Sequence, residues 1–241
     1  MMNQKSLPVV ILGGFLSLAA NYTGVSRSLT NLSGQNVWVV KAQIFDWLTS
    51  ISRVGWLFVL NKLDSTVNQA LSISGEGKVV LIAHSQGGVL ARLFLQPEPF
   101  MGKRFNGLER VAHLVTLGSP HLNQGGLQRG GSMSRWVERQ VPGAAFSPQV
   151  RYTSVAGSFI HGDPTGTRFE RFTFKVYKEI CGDGEVWGDG IVPVSSALLP
   201  GSEHIILDGV SHYTLLGEPW YGSQEVLPLW WEPTAGKKPT P

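Results

Sequence analysis

Apolar residues fall along this chain in two alternating patterns. Short consecutive blocks at residues 7–12, 37–45, 78–83, 111–117 and 204–207 are rich in Val, Ile and Leu, and 152–156, Tyr-Thr-Ser-Val-Ala, reads as a further strand. Continuous apolar blocks of that length predict strands of a sheet covered on both faces. Between them lie segments with three- and four-residue apolar spacing. Residues 54–71 place Leu57, Leu60, Leu63, Val67 and Leu71 on one face of a helix. Residues 89–95 predict a second helix, entered through Gly87 and Gly88 and stopped before Pro97. Strand and helix alternate, which predicts a mostly parallel central sheet with helices on both faces, an α/β fold. No internal repeat is visible.

Two segments depart from the alternation. Residues 121–149 are rich in Gly, Gln, Arg and Ser, with a short amphipathic stretch at Met133, Trp136, Val137 and Val141. Their length fits a small cap or lid insertion and, equally, a solvated excursion carrying one helix. Residues 234–241 are rich in Pro and Lys and read as a flexible tail, leaving 1–233 as a single domain. The N-terminal segment ends its apolar run in Ser17-Leu18-Ala19-Ala20, the outline of a secretory leader. Gly13 and Gly14 interrupt that run, which fits a buried strand and a loop instead.

Composition narrows the class. Hydrophobic residues make up 42% of the 241 and charged residues 15%, against roughly 25% charged in a typical domain. Such a chain has ample apolar surface to bury, so disorder is excluded for most of it. The net charge is +3, without a dense basic stripe, which argues against a nucleic-acid partner. Cys181 is the single cysteine, so there is no internal disulfide and no CxxC metal site. No Cys, His and Asp cluster has ligand spacing, and no metal is expected. One cysteine fits a cytoplasmic protein or one peripheral to a membrane, and equally a disulfide-free secreted protein.

The chemistry-bearing segment is 78–88, where a predicted strand runs into Ala83-His84-Ser85-Gln86-Gly87 and then a helix. A strand–Ser–helix turn with small residues two before and two after the serine resembles the nucleophile elbow of the α/β-hydrolase superfamily. Ala83 departs from the usual first glycine but remains small. Later in the chain come Trp187-Gly188-Asp189-Gly190-Ile191-Val192-Pro193, similar to an Asp-Gly-x-Val-Pro segment of lipases, and Gly209-Val210-Ser211-His212. The superfamily order of serine, acid and histidine is thus met by Ser85, Asp189 and His212, with Asp183 and Asp208 as rivals for the acid. The resemblance implies an α/β-hydrolase fold of lipase or esterase type with no cofactor. It also implies an oxyanion hole from the backbone N–H groups of Gln86 and Phe15, the latter in the loop Gly13-Gly14-Phe15. Removing residues 1–20 would delete a core strand and that loop, so the segment is expected to be retained. Leu117-Gly118-Ser119-Pro120-His121 is similar to a segment lipases carry beside the active site, which makes His121, with His84 and Trp136, a candidate for the substrate pocket.

The expected activity is hydrolysis of carboxylic esters, with acyl lipids first among substrates. Thioester hydrolysis or acyl transfer by the same residues is the alternative, and a catalytically silent binding module is a more distant one. Charge is also distributed unevenly. Residues 101–178 hold eleven Lys and Arg against four Asp and Glu, whereas 179–241 hold two against nine. A basic cap would rest against an anionic membrane surface.

Overall fold

The structure is a computed structural model that describes residues 7–125 and 131–234. Six strands, β1 (Val9–Leu12), β2 (Val37–Val39), β3 (Val79–His84), β4 (Val111–Leu117), β5 (Arg151–Ser158) and β8 (Glu203–Asp208), form one sheet. Their order is β2-β1-β3-β4-β5-β8, and every neighbouring pair is parallel. A two-stranded antiparallel ribbon, β6 (Ile160–His161) with β7 (Trp187–Gly188), stands apart from it. The helices are α1 (Thr23–Ser33), α2 (Ile44–Leu48), α3 (Arg53–Ser74), α4 (Gln86–Leu95), α5 (Gly107–Arg110), α6 (Gly131–Gln140), α7 (Arg168–Cys181), α8 (Val194–Ala197) and α9 (Leu227–Thr234).

Successive strand side chains point to opposite faces, and β1 shows why its block is apolar throughout. Val10 and Leu12 join α3 and α4 in one core layer, with Leu60, Leu63, Val67, Val89 and Leu93. Val9 and Ile11 join α1 and α9 in the other, with Val25, Leu29, Leu227 and Trp230. Both faces are dry, so no position of the strand can be polar. The continuous block at 37–45 does not stay extended. β2 ends at Val39, and Asp46 Oδ2 accepts the Gln43 N–H at 2.6 Å. That capping contact starts α2 at Ile44, so the second half of the block is helical.

Two further expectations are corrected. Within 121–149, read as a cap or a solvated excursion, residues 126–130 lie outside the described ones, and α6 packs on the core. Met133 and Val137 are buried in the layer that holds α3 and α4, and Arg92 of α4 pairs with Glu138 at 2.5 Å. The segment behaves as part of the wall because its apolar stripe has a core to fill. Thr234, placed at the start of the tail, is the buried last residue of α9, with its hydroxyl donating to the Trp231 carbonyl. The rest of the tail, 235–241, lies outside the described residues.

The strand order reverses between β1 and β3, because β2 leaves β1 on one side and β3 flanks it on the other. In parallel α/β sheets ligands gather outside the carboxyl ends of the strands at such a point. The loops leaving β1 and β3 carry Gly13-Gly14-Phe15 and Ser85.

Candidate active site

Ser85 joins β3 to α4 with φ 55° and ψ −131°. That is close to the first corner of a type II′ turn, where glycine is the usual residue. The turn is enforced from both sides. Ser85 N–H donates to the Leu117 carbonyl at 2.9 Å, and Gly88 N–H returns to the Ser85 carbonyl at 3.1 Å. Close packing explains the surrounding small residues. A Cβ on Gly87 would collide with the Gly13 carbonyl, and one on Gly88 with the Ser119 side chain. A Cβ on Gly14 would stand 2.5 Å from Ser85 Cβ, so the β1 loop can lie against the serine only as glycine.

Ser85 Oγ lies 3.0 Å from His212 Nε2, and His212 Nδ1 lies 2.7 Å from Asp189 Oδ2. An ionised carboxylate only accepts, so His212 carries its proton on Nδ1 and leaves Nε2 free to accept from the serine hydroxyl. Asp189 is fully buried, and each of its oxygens is doubly engaged. Oδ1 accepts the N–H groups of Ile191 and Val192 at 3.0 and 2.7 Å, and Oδ2 accepts Tyr221 Oη–H at 2.9 Å beside His212. Tyr221 Oη in turn accepts Gly157 N–H at 2.7 Å. Burial, first, and the Asp189 charge beside it hold the Tyr221 hydroxyl protonated, its pKa pushed far above the ordinary tyrosine value. Gly118 adopts a left-handed φ of 52°, and a Cβ there would come within 2.5 Å of Asp189 Oδ2. Asp208 stands exposed on β8, and the Asp183 side chain caps the Glu185 N–H at 2.9 Å, so neither rival takes the place of Asp189.

The loop after β1 closes as a turn, with Ser17 N–H returning to the Gly14 carbonyl at 3.1 Å and Leu16 held at φ 59°. Gly14 N–H donates to Tyr22 Oη at 3.2 Å. The Phe15 and Leu16 amides lie between these two engaged N–H groups, Phe15 directly after Gly14, and the Gln86 amide heads α4 directly after Ser85. A cavity of about 470 Å³ opens over the serine. Phe15, Leu16, Ile191, Leu215 and Trp220 supply much of its apolar lining, and Ser85 and His212 line it as well.

Solved structures share this arrangement of elements. The mature lipase BlEst2 of Bacillus licheniformis superposes with a TM-score of 0.62 at 16% identity, covering 89% of this chain and 88% of that one. A gene product of Listeria innocua gives 0.55 at 17% identity, over 98% and 96%. The phospholipase PlaB of Legionella pneumophila gives 0.57 at 14% identity over 86% of this chain, which spans 52% of that protein's length. The chain has the α/β-hydrolase fold. No protein-family model and no curated protein sequence matches it.

Within this α/β-hydrolase fold the remaining candidates separate. His84 does line the cavity. Its Nε2 lies 3.0 Å from the His212 carbonyl, which can only accept, so Nε2 carries the proton. Nδ1 then accepts Tyr22 Oη–H at 2.8 Å, and Tyr22 Oη accepts from Gly14. Burial, reinforced by His212, holds His84 neutral, well below the ordinary histidine value. One imidazole thereby ties the β1 loop to the loop that carries His212. His121 and Trp136 do not reach the cavity. His121 is fully buried against Thr116 Oγ1 at 3.0 Å and Arg92 at 3.5 Å, and burial holds it neutral as well. Trp136 packs on Trp56 and Phe100 with Arg53 over its ring at 5.0 Å. Both belong to the wall around α4 and α6, far along the chain from the cavity loops. Sequence patterns passed over Tyr22 and Tyr221. A lone tyrosine has no local signature, and its one general cue is that a buried hydroxyl needs a partner. Among the described residues no group of three or more His, Cys, Asp or Glu gathers to hold a metal ion. No helix among them is long and apolar enough to cross a membrane.

Proposed function

We propose that the protein is a serine hydrolase of carboxylic esters. The observation that carries the proposal is the Ser85–His212–Asp189 series, in which the Asp189 carboxylate only accepts and so leaves His212 Nε2 to take the Ser85 proton. In this reading Ser85 Oγ bonds to the ester carbonyl carbon while its proton passes to His212 Nε2. Asp189 stabilises the imidazolium that results. The amides of Gln86 and Phe15 receive the charge on the carbonyl oxygen. The C–O bond to the alcohol then breaks, and His212 returns the proton to the leaving alkoxide. Water then attacks the acyl carbon while passing a proton to His212 Nε2, the bond from Ser85 Oγ to that carbon breaks, His212 returns the proton to Oγ, and the acyl group leaves as the free acid.

Acyl lipids are the substrate class to try first. The cavity lining is largely apolar, and two proteins of similar fold carry the names lipase and phospholipase. Labelling with a fluorophosphonate, followed by turnover of medium-chain nitrophenyl esters, tests the proposal. Labelling should map to Ser85, and Ser85→Ala should lower turnover by about 10⁴-fold or more. Activity surviving that substitution would remove the mechanism. Thioester analogues assayed on the same preparation distinguish the thioesterase alternative, and an added alcohol that captures the acyl group distinguishes the transferase.

A further inference from the structure

Between β2 and the second turn of α3, six large apolar side chains face solvent: Ile44, Phe45, Leu48, Ile51, Val54 and Phe58. Phe45 is 67% exposed and Ile51 68%. The same segment turns Trp47 and Trp56 fully inward, so it is amphipathic and its outward face is the anomaly. Single exposed apolar residues need no explanation, but six in one short segment mark an interaction surface.

Its position follows from the topology. α2 leaves the carboxyl end of β2, and α3 runs back from that edge to reach β3, so the first turns of α3 lie at the same edge. The next strand, β1, ends there too, in the turn that exposes Phe15 and Leu16 at the cavity mouth. The shoulder and the mouth therefore open on one edge of the sheet.

Charge selects the occupant. Asp46 is the one acid in the first 63 residues, and it is buried, accepting from Gln43 N–H and pairing with Lys62 Nζ at 2.6 Å. The charges left exposed on the shoulder are Lys41 and Arg53, the second steadied over Trp136. A symmetric pairing of two copies through this face would set these cations against each other with no acid to meet them. An anionic lipid surface meets both needs at once, because its headgroups take the cations and its acyl boundary takes the apolar side chains.

We propose that the shoulder formed by α2 and the start of α3 docks the protein on an anionic lipid surface, with the cavity mouth turned towards it. The proposal deepens the ester-hydrolase reading by saying where an acyl lipid is met, and it rests on that reading only to this extent. Flotation with vesicles tests it, using the full chain bearing Ser85→Ala so that the lipid stays intact. Vesicles of equal parts phosphatidylcholine and phosphatidylglycerol should carry the protein at low salt, and pure phosphatidylcholine vesicles should not. Phe45→Ser with Ile51→Ser should weaken this binding about tenfold or more, and Lys41→Glu with Arg53→Glu should do the same through charge. With Ser85 restored, all four substitutions should leave turnover of a soluble short-chain ester unchanged. Binding that ignores lipid charge, binding that survives both pairs of substitutions, or a dimer that the Phe45 and Ile51 changes dissolve would each overturn the proposal. Vesicle binding as expected, in a protein that hydrolyses no ester, would sink the enzymatic reading and leave the docking surface standing.

Discussion

His84 shows how one side chain can hold a site without touching the reacting bond. Its proton sits on Nε2 because the His212 carbonyl only accepts, and its Nδ1 therefore receives Tyr22. Replacing it by leucine takes the acceptor from the Tyr22 hydroxyl proton and the donor from the His212 carbonyl in a buried place, and uncouples the two loops that flank Ser85. His84→Leu is therefore expected to lower kcat about tenfold to a hundredfold with little change in KM, read by steady-state kinetics on a soluble ester. At this scale the sequence is legible where a residue sits in a sharp local motif. Ser85, Asp189 and His212 come together as their order and glycine neighbours imply. His121 and Trp136 do not reach the cavity, because nothing local says whether a histidine or tryptophan turns to a pocket or to the core.

Elements were legible to the extent that their apolar pattern is local. β1, β3, β4 and β5 lie where continuous blocks predict them, and α3 and α4 where the three- and four-residue spacing does. The helices α1, α7 and α9 are not among the elements those blocks and spacings predict. α9 begins Leu-Pro-Leu-Trp-Trp, which reads as a strand or a loop until Trp230 and Trp231 find the layer that holds Val9 and Ile11. α7 depends on a capping box, where Thr167 Oγ1 accepts Glu170 N–H at 3.3 Å and Glu170 accepts Thr167 N–H at 2.6 Å. The junction of elements at the site yields its own prediction. The β1 loop and the β3–α4 turn touch through Gly14, so Gly14→Ala drives its methyl into Ser85 Cβ. The expected outcome is a folded protein, destabilised by about 1–3 kcal/mol in a urea titration. On the proposed mechanism turnover should fall about a hundredfold, because a shift of about 1 Å in the loop proposed to hold the oxyanion is costly.

Across the whole molecule, buried histidines set the response to acid. His113 on β4 donates to Thr153 Oγ1 at 2.9 Å, and burial, aided by Arg151, lowers it from 6.5 to about 4. His84 and His121 shift the same way. Between those two values the unfolded chain binds the proton and the folded one does not. Stability is therefore greatest above the unfolded value and falls as pH drops through this window. His113 alone accounts for a loss of about 3 kcal/mol by about pH 4. Urea midpoints at about pH 7 and pH 5 check this, and His113→Gln should remove about 2 kcal/mol of the difference. The backbone of Ser85 works in the opposite sense to these stabilising arrangements. A serine in a conformation suited to glycine holds about 1–3 kcal/mol of strain, so Ser85→Gly is expected to raise the melting temperature by a few degrees while abolishing ester turnover. On the proposed function, mutational drift at this codon would run towards a hardier, inert chain, and only continued selection for that reaction would keep the less stable residue in place.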